Sequence, residues 1–494
     1  MNKIDTVYPQ EVINVIEALE NRGFEAFLVG GCVRDVLLGR KPKDWDITTN
    51  ANPTQIQSLF IKTVYENEYG TVAIINEETE DETLRKIEVT PYRIEGIYSD
   101  SRHPDSVKYS QNIEDDLKRR DFTVNAVAIK IKDNAISSIV DPYGGVKDIR
   151  DNVIRSVGNP DDRFKEDALR LIRAIRLASE LGFSIENETM KSIRLNSALL
   201  NKIATERIRD EFTKIIMSNK PMLALNISHE TGLLKHFLPE IEDGIGVKQN
   251  QAHKYDVWEH LMRSLQCAAD KDFTLEVRLA ALFHDISKPK NKGFSHETNT
   301  ITFYGHEVEG SRETYKIMTR LKYSKQIVSK VCKLVRWHMF FSDTETITLS
   351  SVRRLVVNVG KENIWDLMNL RVCDRVGTGR PKEEPYRLRK YMSMIEEALR
   401  DPISVSLLKI DGKRIMEVCS MGVGPRVGNI LYALFNEVMK DPKKNESSIL
   451  ENMAIELNKL DDVKLEILGE EGRNIKENIE TKDIVSIRNK YHVK

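Results

Sequence analysis

Hydrophobic and polar positions change their period near Asp161, and the change divides the chain. Before it, short apolar runs are separated by turn residues. Residues 24–29, Phe-Glu-Ala-Phe-Leu-Val, read as a strand that ends in Gly30-Gly31 and leads into a helical stretch at 33–38. Further strand signals fall at 71–75, 86–90 and 126–131, with turn residues between them. After Asp161, apolar residues recur at helical spacing, first as Leu169, Ile172, Ile175 and Ala178. The same spacing returns at 204–217, 258–269, 275–283 and 327–338. Residues 293–305, with a threonine-rich alternation, predict a loop or small hairpin inside the helical region, and the charged segment 445–494 predicts a helix. The pattern predicts an α/β head followed by a long all-α remainder, with no internal repeat.

Composition narrows the class. A chain of 494 residues has room for roughly three or four domains. With 40% hydrophobic and 31% charged residues, and no apolar run near the ~20 residues that span a bilayer, it reads as a globular protein with no membrane partner. The start of the chain carries acids and lacks the apolar stretch of a signal peptide. Cys32, Cys267, Cys332, Cys373 and Cys419 show no CxxC spacing, so they read as reduced thiols and the expected location is cytoplasmic. A formal charge of −1 argues weakly against a nucleic-acid partner, because phosphate contacts dominate such binding. Arginines nevertheless gather between Arg150 and Arg209.

Chemistry concentrates first at residues 28–49, LVGGCVRDVLLGRKPKDWDITT. A glycine pair after a strand lets backbone N–H groups approach a phosphate, and the following helix N-terminus favours negative charge. Gly30 and Gly31 are therefore candidates for a nucleotide cradle, with Arg34 as a charged clamp. Asp44 and Asp46, at i and i+2, leave an extended strand from one face. Two carboxylates side by side repel unless a cation lies between them, which suits Mg²⁺ and a triphosphate. The competing reading is a solvated acidic turn, and the glycine–arginine element just upstream weighs against it.

This stretch resembles the catalytic motif of the class II tRNA nucleotidyltransferases and bacterial poly(A) polymerases, in the polymerase-β superfamily. The resemblance continues in order through RRDFTVNA (119–126), DPYGGVKDI (141–149), EDALRLIRAIR (166–176) and ERIRDE (206–211). It implies that Asp44 and Asp46 are catalytic and hold Mg²⁺, and that Arg120 and Asp121 recognise the sugar and phosphates. It also implies that Asp167 and Arg170 read the base as a protein template for CTP and then ATP. Three apart, Asp167 and Arg170 are expected on one helix face, with Arg173 and Arg176 continuing along it to hold phosphate or steady the pair. Glu88 is a candidate third carboxylate, and a salt-bridged Glu is an equal reading. Residues 88–119 resemble the flexible loop of CCA-adding and A-adding enzymes, and Glu68-Tyr69-Gly70 fits the tRNA-specific branch.

A second cluster lies further on. His284-Asp285 follow the apolar run 279–283, where an unpaired charge is costly and a divalent metal resolves the cost. With His260, His306, His338 and Asp374 the set resembles the HD superfamily of metal-dependent phosphohydrolases. The resemblance implies metal ligands at His260, His284, Asp285 and Asp374. It implies a second metal or a phosphate at His306 and His338. Lys288 is a candidate to face substrate, whereas His253 and His296 read as ordinary surface or loop histidines.

The expected division is a polymerase-β-like nucleotidyltransferase head at 1–149, a helical neck and body at 150–245, an HD domain at 246–380 and a helical tail at 381–494. The expected function is template-independent addition of CCA to the 3′ end of tRNA from CTP and ATP, with an HD-domain phosphatase or 2′,3′-cyclic phosphodiesterase activity. Two alternatives stay open: an A-adding enzyme or poly(A) polymerase, and a tRNA-binding HD phosphohydrolase with an inactive head.

Overall fold

The structure is a computed structural model that describes residues 8–65, 70–96, 106–250, 253–297, 299–340, 347–380, 382–400 and 405–493. Glu68 and Tyr69, and residues 97–105 of the loop-like segment, lie outside the described residues. The chain falls into two compact units, one of Met1–His338 with Asn369–Pro381 and one of Met339–Met368 with Lys382–Lys494.

The first unit begins with helix α1 (Gln10–Glu20), strand β1 (Ala26–Val29), helix α2 (Gly31–Leu37), strand β2 (Trp45–Thr49) and helix α3 (Pro53–Leu59). Strands β3 (Thr63–Tyr65), β4 (Val72–Ile75) and β5 (Lys86–Pro91) follow, then a short hairpin of β6 (Arg93–Glu95) and β7 (Val107–Tyr109), and helix α4 (Ile113–Lys118). Strands β8 (Ala128–Lys132) and β9 (Ala135–Val140) complete a seven-stranded sheet of order β3-β4-β5-β2-β1-β8-β9. Only the β2–β5 pair in it is parallel.

Alternation along β1 builds the two faces. Ala26 and Leu28 join Val12, Leu19, Val33, Ile47, Ile56 and Ile87 in one core under α1, α2 and α3. Phe27 and Val29 point the other way, to Tyr92, Ile113 and Leu117, as the period of two requires. β3 and β9 were not marked by the sequence. β9 is mostly exposed, so an edge strand of this kind carries little apolar alternation to read.

The chain leaves the sheet through helix α5 (Gly145–Asp151). The Asp141 carboxylate accepts from the backbone N–H groups of Gly145 and Val146 at 2.7 and 2.9 Å. A Cβ on Gly145 would lie 2.1 Å from the Thr123 carbonyl oxygen, so only glycine lets this turn close against the preceding segment.

Helices α6 (Pro160–Glu166), α7 (Leu169–Leu181), α8 (Asn187–Asn196), α9 (Thr205–Ile216) and α10 (Pro221–Glu230) come next. The expectation of one helix carrying Asp167 and Arg170 is corrected here. Asp167 has φ −136° and ψ 103°, so the helix breaks at this residue. Its Oδ1 accepts from the Leu169 N–H at 3.0 Å, the local bond by which aspartate starts a new helix.

The remaining helices of this unit are α11 (Val257–Asp270), α12 (Leu275–Phe283), α13 (His306–Arg320), α14 (Lys325–Trp337) and the part of Ile364–Gly377 from Asn369 onward. The expected hairpin is present as Gly293–Ser295 paired with Thr300–Thr302. Helix α9 is held on its far side by the turn after α13. Arg209 Nη1 donates to the Lys322 carbonyl at 2.7 Å, and the Thr213 and Tyr323 hydroxyls are 2.8 Å apart.

The second unit is helical and has its own core of Ile415, Ile430, Leu434, Phe435, Leu450 and Leu465. There Pro425–Lys440 packs against the long helix Asp462–Lys490.

Candidate functional site

The end of β1 and the start of β2 are hydrogen-bonded neighbours, and this register brings the glycines to the carboxylates. Gly30 has φ +84°, a conformation glycine adopts without a Cβ penalty. A Cβ there would lie 3.1 Å from Asp46 Oδ2 and 3.2 Å from Arg120 Nη1, and one on Gly31 would lie 3.8 Å from Asp44 Oδ1. Both carboxylates thus sit at the glycine turn, beside the N-terminus of α2. Gly31, Arg34, Asp44 and Asp46 line a cleft of about 470 Å³ that is also lined by Arg173, Arg176 and Lys214.

Burial, then the Asp44 carboxylate, push Asp46 up to about 7, with Glu88 adding to the rise and Arg120 opposing it. Acids crowded in this way favour a proton or a divalent cation among them. Glu88 stands beside Asp46 in the β2–β5 register, but Lys86 Nζ reaches its Oε1 at 2.7 Å. The two groups of three or more ligand-type side chains that meet among the described residues both lie elsewhere. Cys32 is buried beneath the cradle, with Sγ 3.2 Å from the Val29 carbonyl, and burial pushes its thiol up to about 12.

Around this cleft the expected nucleotide-binding side chains are already engaged by other groups of the protein, and only Asp121 and Arg173 hold each other. Arg34 Nε and Nη2 donate to Asp35 Oδ1 at 2.9 and 2.8 Å, and its Nη1 donates to Asn125 Oδ1 at 2.9 Å. Arg120 Nη2 reaches the buried Asp116 at 3.0 Å. Asp121 is turned inward: Arg173 donates to its Oδ2 from Nε at 3.0 Å and Nη2 at 2.6 Å, while Oδ1 accepts from the Phe122 N–H and Asn125 Nδ2. Burial alone would raise the Asp121 carboxyl, but Arg173 holds it well below the usual carboxylate range.

Asp167 receives Arg207 Nη2 at 2.9 Å. Arg170 is buried and donates to Glu166 and to the carbonyls of Arg163 and Arg119. Arg176 bridges Glu211 and Glu180 at 2.5 and 2.7 Å. Asp116, Asn125, Arg207 and Glu211 were not singled out by sequence reasoning. Asn125 lies inside the stretch 119–126, and Arg207 and Glu211 inside 206–211, and that is the only signal that marked them.

The second cluster is assembled by α11, α12, α13, α14 and the Ile364–Gly377 helix. His260, His284, Asp285 and Asp374 form one group of converging ligand atoms, and Asp285, His306 and His338 form another. Asp285 belongs to both: its Oδ2 is 3.0 Å from His260 Nε2 and 3.2 Å from His284 Nε2, and its Oδ1 is 3.2 Å from His306 Nε2 and 3.5 Å from His338 Nε2. All six side chains are buried.

The tautomers follow from the partners. Nδ1 of His284, His306 and His338 faces the carbonyls of Ala281, Phe303 and Val335 at 2.9, 2.6 and 2.7 Å. A carbonyl only accepts, so Nδ1 carries the hydrogen and Nε2 presents a lone pair inward. The Nε2 atoms of His306 and His338 and Oδ1 of Asp285 have no hydrogen-bond partner. Buried lone pairs converging without donors fit a divalent metal.

Lys288 is buried rather than presented to solvent, with Nζ 2.6 Å from Asp285 Oδ2 and 2.7 Å from Gln249 Oε1. Burial alone would raise the Asp285 carboxyl, but Lys288 and His284 hold it well below the usual range. His253 is not an ordinary surface histidine. Its ring packs edge-on against His260 with centroids 5.2 Å apart, and burial, then Lys288, lower it to about 3. His296 is exposed in the turn of the hairpin.

Three family models match the chain: the poly A polymerase head domain at residues 26–155, the "Probable RNA and SrmB- binding site of polymerase A" at 182–245, and the HD domain at 257–391. A CCA-adding enzyme of Levilactobacillus brevis is 37% identical over 314 residues, covering 61% of this chain and 74% of that protein. One of Geobacillus thermodenitrificans is 40% identical over 247 residues, 50% of this chain and 59% of its own length. The match to a Lactiplantibacillus plantarum CCA-adding enzyme is 42% over 230 residues, 46% of this chain and 54% of that protein. The aligned part of the chain therefore spans between half and two thirds of the last two. Among solved structures, the Bacillus stearothermophilus CCA-adding enzyme in complex with CTP is 28% identical, with a TM-score of 0.59 over 91% of this chain and 97% of that one.

Proposed function

Since the chain belongs to the family of CCA-adding enzymes, we propose that it adds CCA to the 3′ end of tRNA, taking CTP and then ATP without a nucleic-acid template. The observation that carries the proposal is the meeting of Asp44 and Asp46 with the Gly30-Gly31 turn. In the reaction the 3′-oxygen of the tRNA attacks the α-phosphorus of the nucleotide. The bond to pyrophosphate breaks, and the hydroxyl proton leaves to solvent.

Mg²⁺ held by Asp44 and Asp46 would lower the pKa of the attacking hydroxyl and offset the charge of the leaving pyrophosphate. The backbone of Gly30 and Gly31 and the guanidinium of Arg34 bind the triphosphate. Arg120 supports it, and Arg173 and Arg176, which also line the cleft, steady its surroundings through their carboxylate partners. Asp167 and Arg170 read the base once it displaces their present partners, Arg207 and Glu166. The relatives are CCA-adding enzymes, and no helix among the described residues is long and apolar enough to cross a membrane. A cytoplasmic location agrees with both.

The test is extension of a tRNA that ends before CCA, with CTP and ATP supplied separately and together. CTP addition followed by ATP addition is expected. Incorporation of ATP alone would replace this reading by an A-adding enzyme or poly(A) polymerase. Normal incorporation by Asp46→Asn would overturn the assignment of the carboxylates. No incorporation by the unaltered chain, with phosphatase activity retained, would leave the head as a docking module.

A second activity rests on the buried histidine–aspartate groups. We propose that a divalent transition metal or Mg²⁺ on His260, His284, Asp285 and Asp374, with His306 and His338 beside it, serves hydrolysis of phosphate monoesters or 2′,3′-cyclic phosphates. Loss of that hydrolysis in the His284→Ala, Asp285→Ala double variant, with CCA addition intact, is the expected result.

A further inference from the structure

We propose that Asn125 is the residue that positions Arg34 on the triphosphate, a role that rests on the nucleotidyl-transfer reading of the cleft. Asn125 closes the single 3₁₀ turn Thr123–Asn125, is 9% exposed, and also lines the cleft that holds Gly31, Asp44 and Asp46. Its amide faces two charged groups of opposite sign. Oδ1 accepts from Arg34 Nη1 at 2.9 Å, and Nδ2 donates to Asp121 Oδ1 at 3.2 Å. The orientation is fixed by chemistry: a guanidinium has no acceptor and an ionised carboxylate has no donor.

Asp121 is itself immobilised, because its other oxygen is clasped by Arg173 of α7 and its Oδ1 also caps the Phe122 N–H. Asn125 therefore transmits the position of a fixed carboxylate to Arg34. On its other edge Arg34 is tied to Asp35 through Nε and Nη2. These three bonds occupy three of the five N–H groups of the guanidinium, and the two that remain are available to phosphate oxygens.

No other side chain of this size does both jobs. Aspartate keeps the acceptor for Arg34 but sets a carboxylate against Asp121. Leucine keeps the shape and loses both bonds. A clamp on a long side chain gains most from being held before the ligand arrives, because ordering a free arginine costs rotamer entropy.

The experiment is a double-mutant cycle read by CTP binding calorimetry and by KM and kcat for CTP addition, using the full chain. Asn125→Asp is expected to weaken CTP binding and raise the KM for CTP and ATP by tenfold or more. Binding of tRNA should stay within twofold of the unaltered chain. In an Arg34→Ala background the same change should add less than a further twofold, because the arginine it positions is gone. Asn125→Ala, which introduces no charge, should show the same loss of additivity. If Asn125→Asp unfolds the chain, the alanine variant carries the test.

Wild-type CTP affinity in both Asn125 variants, full additivity with Arg34→Ala, or a fall in kcat with KM unchanged would each overturn the proposal. A chain that binds CTP but extends no tRNA would defeat the functional reading and leave the role of Asn125 to be judged on binding alone.

Discussion

The Nε2 atoms of His260 and His284 lie 2.9 Å apart in a fully buried setting. His284 carries its hydrogen on Nδ1, toward the Ala281 carbonyl, so its Nε2 offers a lone pair. The Nδ1 of His260 has no partner. Two imidazoles converging in this way with Asp285 and Asp374 gain far more from a shared cation than from each other.

Metal content is the direct measurement. The shared Asp285 predicts up to two equivalents of divalent metal per chain. His338→Ala should lose the equivalent on its side and Asp285→Asn should lose both, as counted by elemental analysis after purification without chelator. Chelation should lower the thermal midpoint of the unaltered chain, because buried carboxylates are left without their counter-charge. A chain with no bound metal and no response to chelator would sink this assignment.

Asp46 gives a pH dependence with a definite sign. Its carboxyl is raised in the folded, metal-free protein to about 7, against an unfolded value of about 3.9. The folded state therefore binds more protons, and its stability falls as pH rises from about 4 to about 7, then levels off. The thermal midpoint of metal-free protein should decline across that window and recover on adding Mg²⁺. Asp46→Asn should flatten the decline and reduce nucleotide addition by about a thousandfold or more, comparable with the loss of a major electrostatic contributor to the transition state.

The Asp121–Arg173 pair predicts a loss of stability as well as of activity. Removing one member of a buried, hydrogen-bonded ion pair costs about 3–5 kcal/mol, and the 33% side-chain exposure of Arg173 places Arg173→Met toward or below the lower limit. Urea unfolding measures it. If Asp121 contacted only nucleotide, Asp121→Asn would leave the unfolding midpoint unchanged and alter KM alone.

Gly145→Ala should be among the most damaging small substitutions in the first unit. The added methyl meets the Thr123 backbone oxygen at 2.1 Å, and relief requires shifting the turn that carries Asn125. Overpacking of this kind costs about 1–3 kcal/mol or more. Soluble expression and thermal midpoint report it, with Gly144→Asn, at a left-handed position with open space around it, as the tolerated control.

Much of this arrangement could be read from the chain alone. Gly30-Gly31 and the aspartates at 44 and 46 are close in sequence, and a strand–turn–helix–strand course brings them together almost automatically. The six HD-type positions were legible because they match the HD resemblance in order, and the structure brings their side chains together. What escaped was decided by distant partners. Asp121 looked like a nucleotide contact until Arg173, 52 residues on, occupied it. The break at Asp167 was hidden because EDALRLIRAIR has the composition and spacing of an unbroken helix. His253 gave no spacing signal, since its partner His260 faces it from the following helix. The exposed strand β9 offered too little alternation to be seen.

Helix α9 is gripped along two edges, by the Asp167 joint and Arg176 on one side and by the Lys322–Tyr323 turn on the other. A beam clamped on both flanks cannot roll about its own axis. The Asp167 joint and the histidine-rich bundle are thus braced against opposite edges of one helix; if both handle a tRNA end as proposed, that end has to travel from one workshop to the other, because the scaffold does not carry it there.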